Sequence, residues 1–201
     1  MYQFADNNDN KETVFTIKVQ DLKFGVGALR ELGPDAVALK MERIALFLDG
    51  NIQDGEPIHR VKKSLKSSGV DFEIYDKAVC EPNTTSCMAA AEFVKNGNFD
   101  GFVSIGGGSV MDTAKAANLL SCHGGQILDY VNAPIGQAKK VPGPLMPHIA
   151  CPSTSGTGAE TTGIVVLDIE EVGLKSGIAS PYLKPDHAIV DPETTLTLPS
   201  G

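Results

Sequence analysis

A run of three glycines, Gly106 to Gly108, follows an apolar segment near the middle of the chain. Glycine lets a ligand approach the main chain closely. If a helix begins directly after the run, its free N–H groups and the positive end of its dipole attract an anion such as a diphosphate. Ser109 and Asp112 have capping-box spacing, which predicts Ser109 as the N-cap residue. The glycines by themselves fit a diphosphate site and a tight turn without a ligand about equally well.

Two common nucleotide-binding motifs are excluded at this turn. The sequence is not G-x-G-x-x-G, because Met111 occupies the sixth position, and no G-K-[ST] follows at the distance that a P-loop requires. Kinase-like chemistry is therefore disfavoured.

A dinucleotide site also needs a carboxylate for the adenosine ribose, usually at the end of a neighbouring strand. Asp49 follows an apolar run and lies 57 positions before Gly106 (106 − 49). In the usual order the glycine turn precedes the acid, so the topology here must differ. A turn or cap role before Gly50 is the alternative for Asp49.

A second polar loop, Cys151-Pro-Ser-Thr-Ser-Gly-Thr-Gly-Ala-Glu-Thr-Thr, follows another apolar run. Alone, its hydroxyl groups are better explained as partners of the local backbone. Two such loops in one domain favour cofactor binding.

The composition narrows the class of protein. The chain has 201 residues, 42% of them hydrophobic, and a net charge of −8. These values are typical of a soluble globular chain with room for one large α/β domain, or for one domain plus fragments, and the acidic charge disfavours nucleic acid as a partner. No apolar run approaches the roughly 20 residues of a membrane helix, and the first ten residues do not resemble a signal peptide. The four cysteines and four histidines have no metal-site spacing.

Apolar runs alternate with amphipathic segments along the chain, which predicts βαβ units, a parallel sheet and helices on both faces. Residues 1–13 are expected to form a flexible N-terminus, and 14–201 a dinucleotide-binding α/β domain. The segment 130–147, with four prolines, is expected to be a long structured loop. Strands are predicted at 14–19, 44–48, 72–75, 101–105, 148–151 and 163–167, and helices at 28–32, 57–68 and 84–96.

Four segments of the chain carry a family resemblance: Leu22-Lys-Phe-Gly-Val-Gly-Ala, Gly-Gly-Gly-Ser-x-x-Asp-x-x-Lys at 106–115, Pro152-Ser-Thr-Ser-Gly-Thr-Gly-Ala-Glu and Ala188-Ile-Val-Asp-Pro. With these segments, the chain from about residue 14 to 201 resembles the iron-containing, group III metal-dependent alcohol dehydrogenases. Two further stretches, Leu128-Asp-Tyr-Val-Asn-Ala-Pro-Ile-Gly and Met111-Asp-Thr-Ala-Lys-Ala-Ala-Asn-Leu, are most similar to the hydroxyacid-oxoacid transhydrogenase branch of that family.

The resemblance implies an N-terminal dinucleotide-binding domain followed by an all-helical domain, in which an Asp and three His hold Fe²⁺ or Zn²⁺. This chain is expected to be about half of such an enzyme and to lack the helical domain and its metal ligands. Asp191 is not one of those ligands. No catalytic residue is therefore expected within these 201 residues.

The resemblance also implies a set of NAD-binding residues. Asp49 would bind the adenosine ribose and repel a 2′-phosphate, which favours NAD over NADP. Lys175 would reach the ribose on the nicotinamide side. Glu81 departs from the P-N-P-T of many relatives and cannot donate a hydrogen bond as an amide would. The diphosphate is assigned to Gly107, Gly108 and Ser109 with Val110 and Met111, and the second loop contributes Ser153, Thr154, Ser155 and Thr157.

The activity implied is hydride transfer between NAD and an alcohol or 4-hydroxyacid, with an oxoacid as acceptor in the transhydrogenase branch. The alternative is a nucleotide-binding module without catalysis. A homo-oligomer is expected, in the cytoplasm or, alternatively, in the mitochondrial matrix.

Overall fold

The structure, a computed structural model, describes residues 20–52 and 54–196. Six of the strands in this part form one parallel sheet in the order β1-β8-β5-β4-β2-β3, and β6 and β7 form a separate antiparallel pair. The strands are β1 (Asp21–Phe24), β2 (Arg43–Leu48), β3 (Asp71–Tyr75), β4 (Gly101–Gly106), β5 (His148–Pro152), β6 (Ile164–Ile169), β7 (Leu174–Ala179) and β8 (His187–Val190).

The helices connect these strands and cover the sheet. They are α1 (Leu32–Ala38), α2 (Glu56–Ser67), α3 (Thr84–Gly97), α4 (Gly108–His123) and α5 (Ile127–Tyr130). Single 3₁₀ turns lie at Ala28–Glu31, Pro181–Leu183 and Pro192–Thr195. No helix within 20–52 and 54–196 has the length and apolarity to cross a membrane.

Strand β2 shows why the helices lie on both faces. Its even-numbered residues, such as Leu46, pack with Val61 and Leu65 of α2, whereas Phe47 packs on the opposite face with Val94 of α3 and Ala114 of α4. Successive side chains of a strand point to opposite faces, so a continuous apolar run requires cover on both. The predicted α/β fold, a parallel sheet between two helical layers, is confirmed.

Most of the predicted elements in the described residues are present, with two differences. Strand 163–167 does not join the main sheet, because it pairs with β7 in the antiparallel hairpin. The short helix at 28–32 is instead a 3₁₀ turn followed by α1, which accommodates Pro34 in its first turn, where a missing N–H costs nothing. The predicted strand at 14–19 and the flexible segment 1–13 lie outside the described residues.

The carboxyl ends of β2, β4 and β5 meet at one edge of the sheet. Leu48 pairs with Ile105, and the Asp49 amide donates to the Ile105 carbonyl at 3.2 Å. The strand order therefore places Asp49 beside the glycine turn, although it precedes that turn in the chain. Ligands of open α/β sheets bind outside this edge.

Candidate cofactor site

The glycine turn leads directly from β4 into α4. Gly107 is the N-cap residue with an extended backbone, and no side chain caps the helix. The predicted capping box is therefore wrong. Ser109 lies inside the first turn, where its hydroxyl oxygen accepts from the Glu81 amide at 3.1 Å. The Asp112 side chain points into the protein interior, where Lys115 and the backbone amide of Val166 bind its carboxylate.

The first turn of α4 offers two amides for a ligand. The amides of Val110 and Met111 both donate to the Gly107 carbonyl, at 3.1 and 3.3 Å. Those of Gly108 and Ser109 have no acceptor in the described part of the chain. The side chains of Val110 and Met111 are buried in the core.

The second loop packs tightly against the glycine turn. The Ser153 amide donates to the Gly106 carbonyl at 2.8 Å, which fixes the start of the loop. A Cβ atom on Gly108 would lie 3.0 Å from Cγ2 of Thr157, and one on Gly107 would lie 3.3 Å from Oγ1 of Thr154. The two loops can approach this closely because these positions carry no side chain.

A cleft of about 400 Å³ lies between α4, the second loop and the β6–β7 hairpin. It brings together four of the predicted residues, Gly108, Ser109, Thr157 and Lys175. Two hollows of about 550 and 470 Å³ border α2, but the free amides of the glycine turn do not line them.

The remaining predicted residues do not line this cleft. In the second loop, Ser153 is buried and Ser155 is exposed. Asp49 is partly buried, and its Oδ1 accepts from the backbone and side-chain amides of Asn51 in a turn. The turn role considered for Asp49 is therefore present, and no hydrogen bond or ion pair engages Oδ2 in the described part of the chain.

A buried ion pair on α4 anchors the second loop. Lys115 Nζ donates to the carbonyl oxygens of Ala159 at 2.7 Å and Ile164 at 3.0 Å, and lies 3.4 Å from Oδ1 of Asp112. The other carboxylate oxygen of Asp112 accepts from the Val166 amide at 3.0 Å. Burial lowers the pKa of Lys115 and raises that of Asp112. The i, i+3 spacing of two charges inside an apolar helix was the sequence signal for this pair, which the capping interpretation missed.

An ion pair at the protein surface lies across the mouth of the cleft. Lys175 Nζ is 3.0 Å from Oε1 of Glu81 and 3.8 Å from Oδ1 of Asp168. The hydrogen bond with Glu81 raises the pKa of Lys175. Glu81 has a left-handed backbone, with φ of 56°. The lysine expected to contact a cofactor is therefore held by two carboxylates.

His148 lies on β5, ahead of the second loop. Its Nε2 is 2.8 Å from Oγ of Ser104, and the side chain is buried. Burial, with a smaller contribution from the charge of Lys115, lowers its pKa to about 3. The imidazole is therefore neutral at physiological pH.

We expect the free energy of unfolding to fall as the pH drops from about 6.5 toward about 3. In this range the unfolded chain binds a proton at His148, whereas the folded chain keeps the imidazole neutral. The slope from His148 is at most about 1.4 kcal/mol per pH unit. Urea unfolding across this range should show a shallower slope for His148→Gln than for the wild type. His59→Gln, at an exposed histidine, is the control. Equal slopes for the wild type and His148→Gln would contradict the assignment.

No group of three or more His, Cys, Asp or Glu that could hold a metal is found in the part of the chain that the structure describes. Asp191 is buried and accepts hydrogen bonds from the amides of Gly27, Leu29 and Glu193, so its oxygens bind backbone. The four cysteines are free thiols. The residues described here do not fit a catalytic metal.

An open parallel sheet with a glycine turn and a hydroxyl-rich loop at its carboxyl edge is typical of nucleotide-binding α/β domains. A sequence profile of the family described as iron-containing alcohol dehydrogenase matches residues 20–192, and the chain belongs to this family. The resemblance expected from the sequence is confirmed.

Similar proteins are named as oxidoreductases. The mitochondrial hydroxyacid-oxoacid transhydrogenase of Rattus norvegicus is 45% identical over 92% of this chain and 40% of its own length. The NADH-dependent butanol dehydrogenase A of Thermotoga maritima has a TM-score of 0.85 at 25% identity, and covers 92% of this chain and 46% of its own. The sulfoacetaldehyde reductase of Bifidobacterium kashiwanohense, solved with NAD⁺, has a TM-score of 0.83 at 29% identity. That match covers 92% of this chain and 48% of the reductase. The chain thus spans about 40% of the length of the curated relative cited here.

Proposed function

We propose that this cleft binds NAD and that the chain is the cofactor-binding part of a metal-dependent oxidoreductase. The observation that carries the proposal is the pair of amides at Gly108 and Ser109, which have no acceptor in the described residues and line the cleft. Two solved relatives whose names include NADH or NAD⁺ support the same cofactor.

Each part of the site has a task in this proposal. The amides of Gly108 and Ser109, at the positive end of α4, bind the diphosphate. The hydroxyl of Thr157 adds a donor from the second loop, and Oδ2 of Asp49 accepts from the adenosine ribose. Lys175 donates to the ribose on the nicotinamide side. When bound, the nicotinamide supplies the hydride chemistry.

The substrate is proposed from the relatives. The transhydrogenase name favours a hydroxyacid as hydride donor and an oxoacid as acceptor, and an alcohol is the broader class. No step that polarises the substrate oxygen is assigned to the described residues, because they do not fit a metal. The alternative, a nucleotide-binding module without catalysis, is separated from the first proposal by a turnover assay with Fe²⁺ or Zn²⁺ and a 4-hydroxyacid.

Calorimetry with NAD and NADP tests the cofactor. We expect NAD to bind at least about tenfold more tightly than NADP, because the Asp49 carboxylate repels a 2′-phosphate. Asp49→Asn removes the charge and should bring the two affinities within about threefold. Asp76→Asn, at an exposed position after β3, should leave the preference unchanged.

Failure of both cofactors to bind at millimolar concentration would exclude the proposed function for this chain. Binding of both with equal affinity by the wild type would instead exclude only the role of Asp49.

A homo-oligomer and a mitochondrial location are also proposals. Leu22, Phe24 and Val26, on and directly after the outermost strand of the described sheet, are 52%, 72% and 74% exposed, which favours self-association. Light scattering tests the oligomeric state.

The name of the rat transhydrogenase favours mitochondria over the cytoplasm, and cell fractionation tests the location.

A further inference from the structure

Glu81 lies at the mouth of the cleft, and a hydrogen bond holds its backbone there. Its amide donates to the Ser109 hydroxyl at 3.1 Å, so it is tied to the turn that offers the free amides. Its carboxylate reaches the opposite wall and contacts Lys175, 94 residues away in the chain, at 3.0 Å. The contact therefore joins the glycine turn to the β6–β7 hairpin across the opening.

Charge is unevenly distributed around this opening. Among the described residues that line the cleft, Lys175 is the one lysine or arginine. Lys115 lies behind the wall, where the Asp112 carboxylate and two carbonyl oxygens bind it. Glu81 and Asp168 both approach Lys175, so the three side chains together carry a net charge of −1. A negatively charged ligand thus meets a carboxylate next to the amides that would bind it.

We infer that Glu81 lowers the affinity of the cleft for its cofactor, because it competes for Lys175 and its negative charge repels negatively charged ligands. This inference rests on the proposed function, since it concerns the same cleft. Glu81 occupies one of the three N–H donors of Lys175, so a cofactor that reaches this lysine shares it with a carboxylate. The contact is exposed, with the two side chains 50% and 63% accessible, so its release costs little and binding is tuned, not prevented.

Glu81→Gln tests this inference, because it removes the charge and keeps the size of the side chain. By calorimetry at about 20 mM salt, we expect NAD to bind about three- to tenfold more tightly than to the wild type. At about 500 mM salt the difference should fall below about twofold, because salt screens exposed charges. A change in the shape of the loop would persist at high salt.

Glu42→Gln is the matched control, since it makes the same change in net charge at an exposed position just ahead of β2, at the other edge of the sheet. Its NAD affinity should equal that of the wild type at both salt concentrations. The inference fails if Glu81→Gln binds NAD no more tightly than the wild type, if its gain persists at high salt, or if Glu42→Gln shows the same gain.

The wild-type titration separates this inference from the proposed function. No NAD binding by the wild type, by Glu81→Gln and by Glu42→Gln would overturn both. Binding by the wild type with no gain in Glu81→Gln would overturn only the role of Glu81.

Discussion

Replacing Gly108 with valine should weaken NAD binding by about a hundredfold or more while the chain stays folded. The new Cβ would lie 3.0 Å from Cγ2 and 3.2 Å from Cβ of Thr157, and the two added methyl groups would push the second loop away from the glycine turn. Because Gly108 lines the cleft, the added side chain would also keep a diphosphate away from the amides of Gly108 and Ser109. Hydrogen bonds to charged groups contribute about 1.5–3 kcal/mol each, so two lost bonds correspond to about 10²–10⁴ in affinity.

Calorimetry measures this loss, and circular dichroism checks the fold. Gly143→Val is the matched control, because the nearest atom to its added Cβ is 4.0 Å away, in His123. It should bind NAD as the wild type does. A folded Gly108→Val protein that keeps the wild-type affinity within about threefold would show that the glycine turn does not bind the cofactor.

The second large effect is expected for Lys115→Met. Methionine fills similar space without a charge, so the substitution leaves the Asp112 carboxylate buried without its cation and two carbonyl oxygens without a donor. Breaking a buried ion pair in this way costs about 3–5 kcal/mol. Urea unfolding should show a loss of this size, and NAD affinity should fall at least about tenfold, because the second loop loses its anchor.

A double variant distinguishes the ion pair from a packing defect. Asp112→Asn combined with Lys115→Met removes both charges and keeps an oxygen for the Val166 amide, so it should recover at least about half of the lost stability. Lys63→Met, at an exposed lysine of α2, should change stability by less than about 0.5 kcal/mol. A loss below about 1 kcal/mol in Lys115→Met would contradict the anchoring role.

The central strands were predictable because their signal is local. The run Ile44-Ala-Leu-Phe-Leu is apolar at every position and is bounded by Arg43 and Asp49, which is typical of a short strand covered on both faces. Strand β7 was missed for the converse reason. Leu174-Lys-Ser-Gly-Ile-Ala shows neither a continuous apolar run nor alternation, and it is a strand because β6 pairs with it. Its conformation therefore depends on a partner and not on its own pattern.

The site was predictable in its main-chain part and less so in its side chains. The glycine turn and the hydroxyl-rich loop were recognisable from their residue composition. The structure brings Gly108, Ser109, Thr157 and Lys175 to one cleft. Capping-box spacing misassigned Asp112, because a local rule cannot include an amide 54 residues away at Val166.

By itself the sequence determined the α/β alternation, the position of the glycine turn and the family, since these follow from residue types at short spacing. Only the tertiary structure decided that Asp49 lies beside a turn that follows it in the chain, that Lys115 holds the second loop, and that Glu81 meets Lys175. Each of these is a contact between distant segments. Such a contact forms only because of the order of the strands and the packing of the core, which decide which side chains face the cleft. No local sequence pattern encodes either of them.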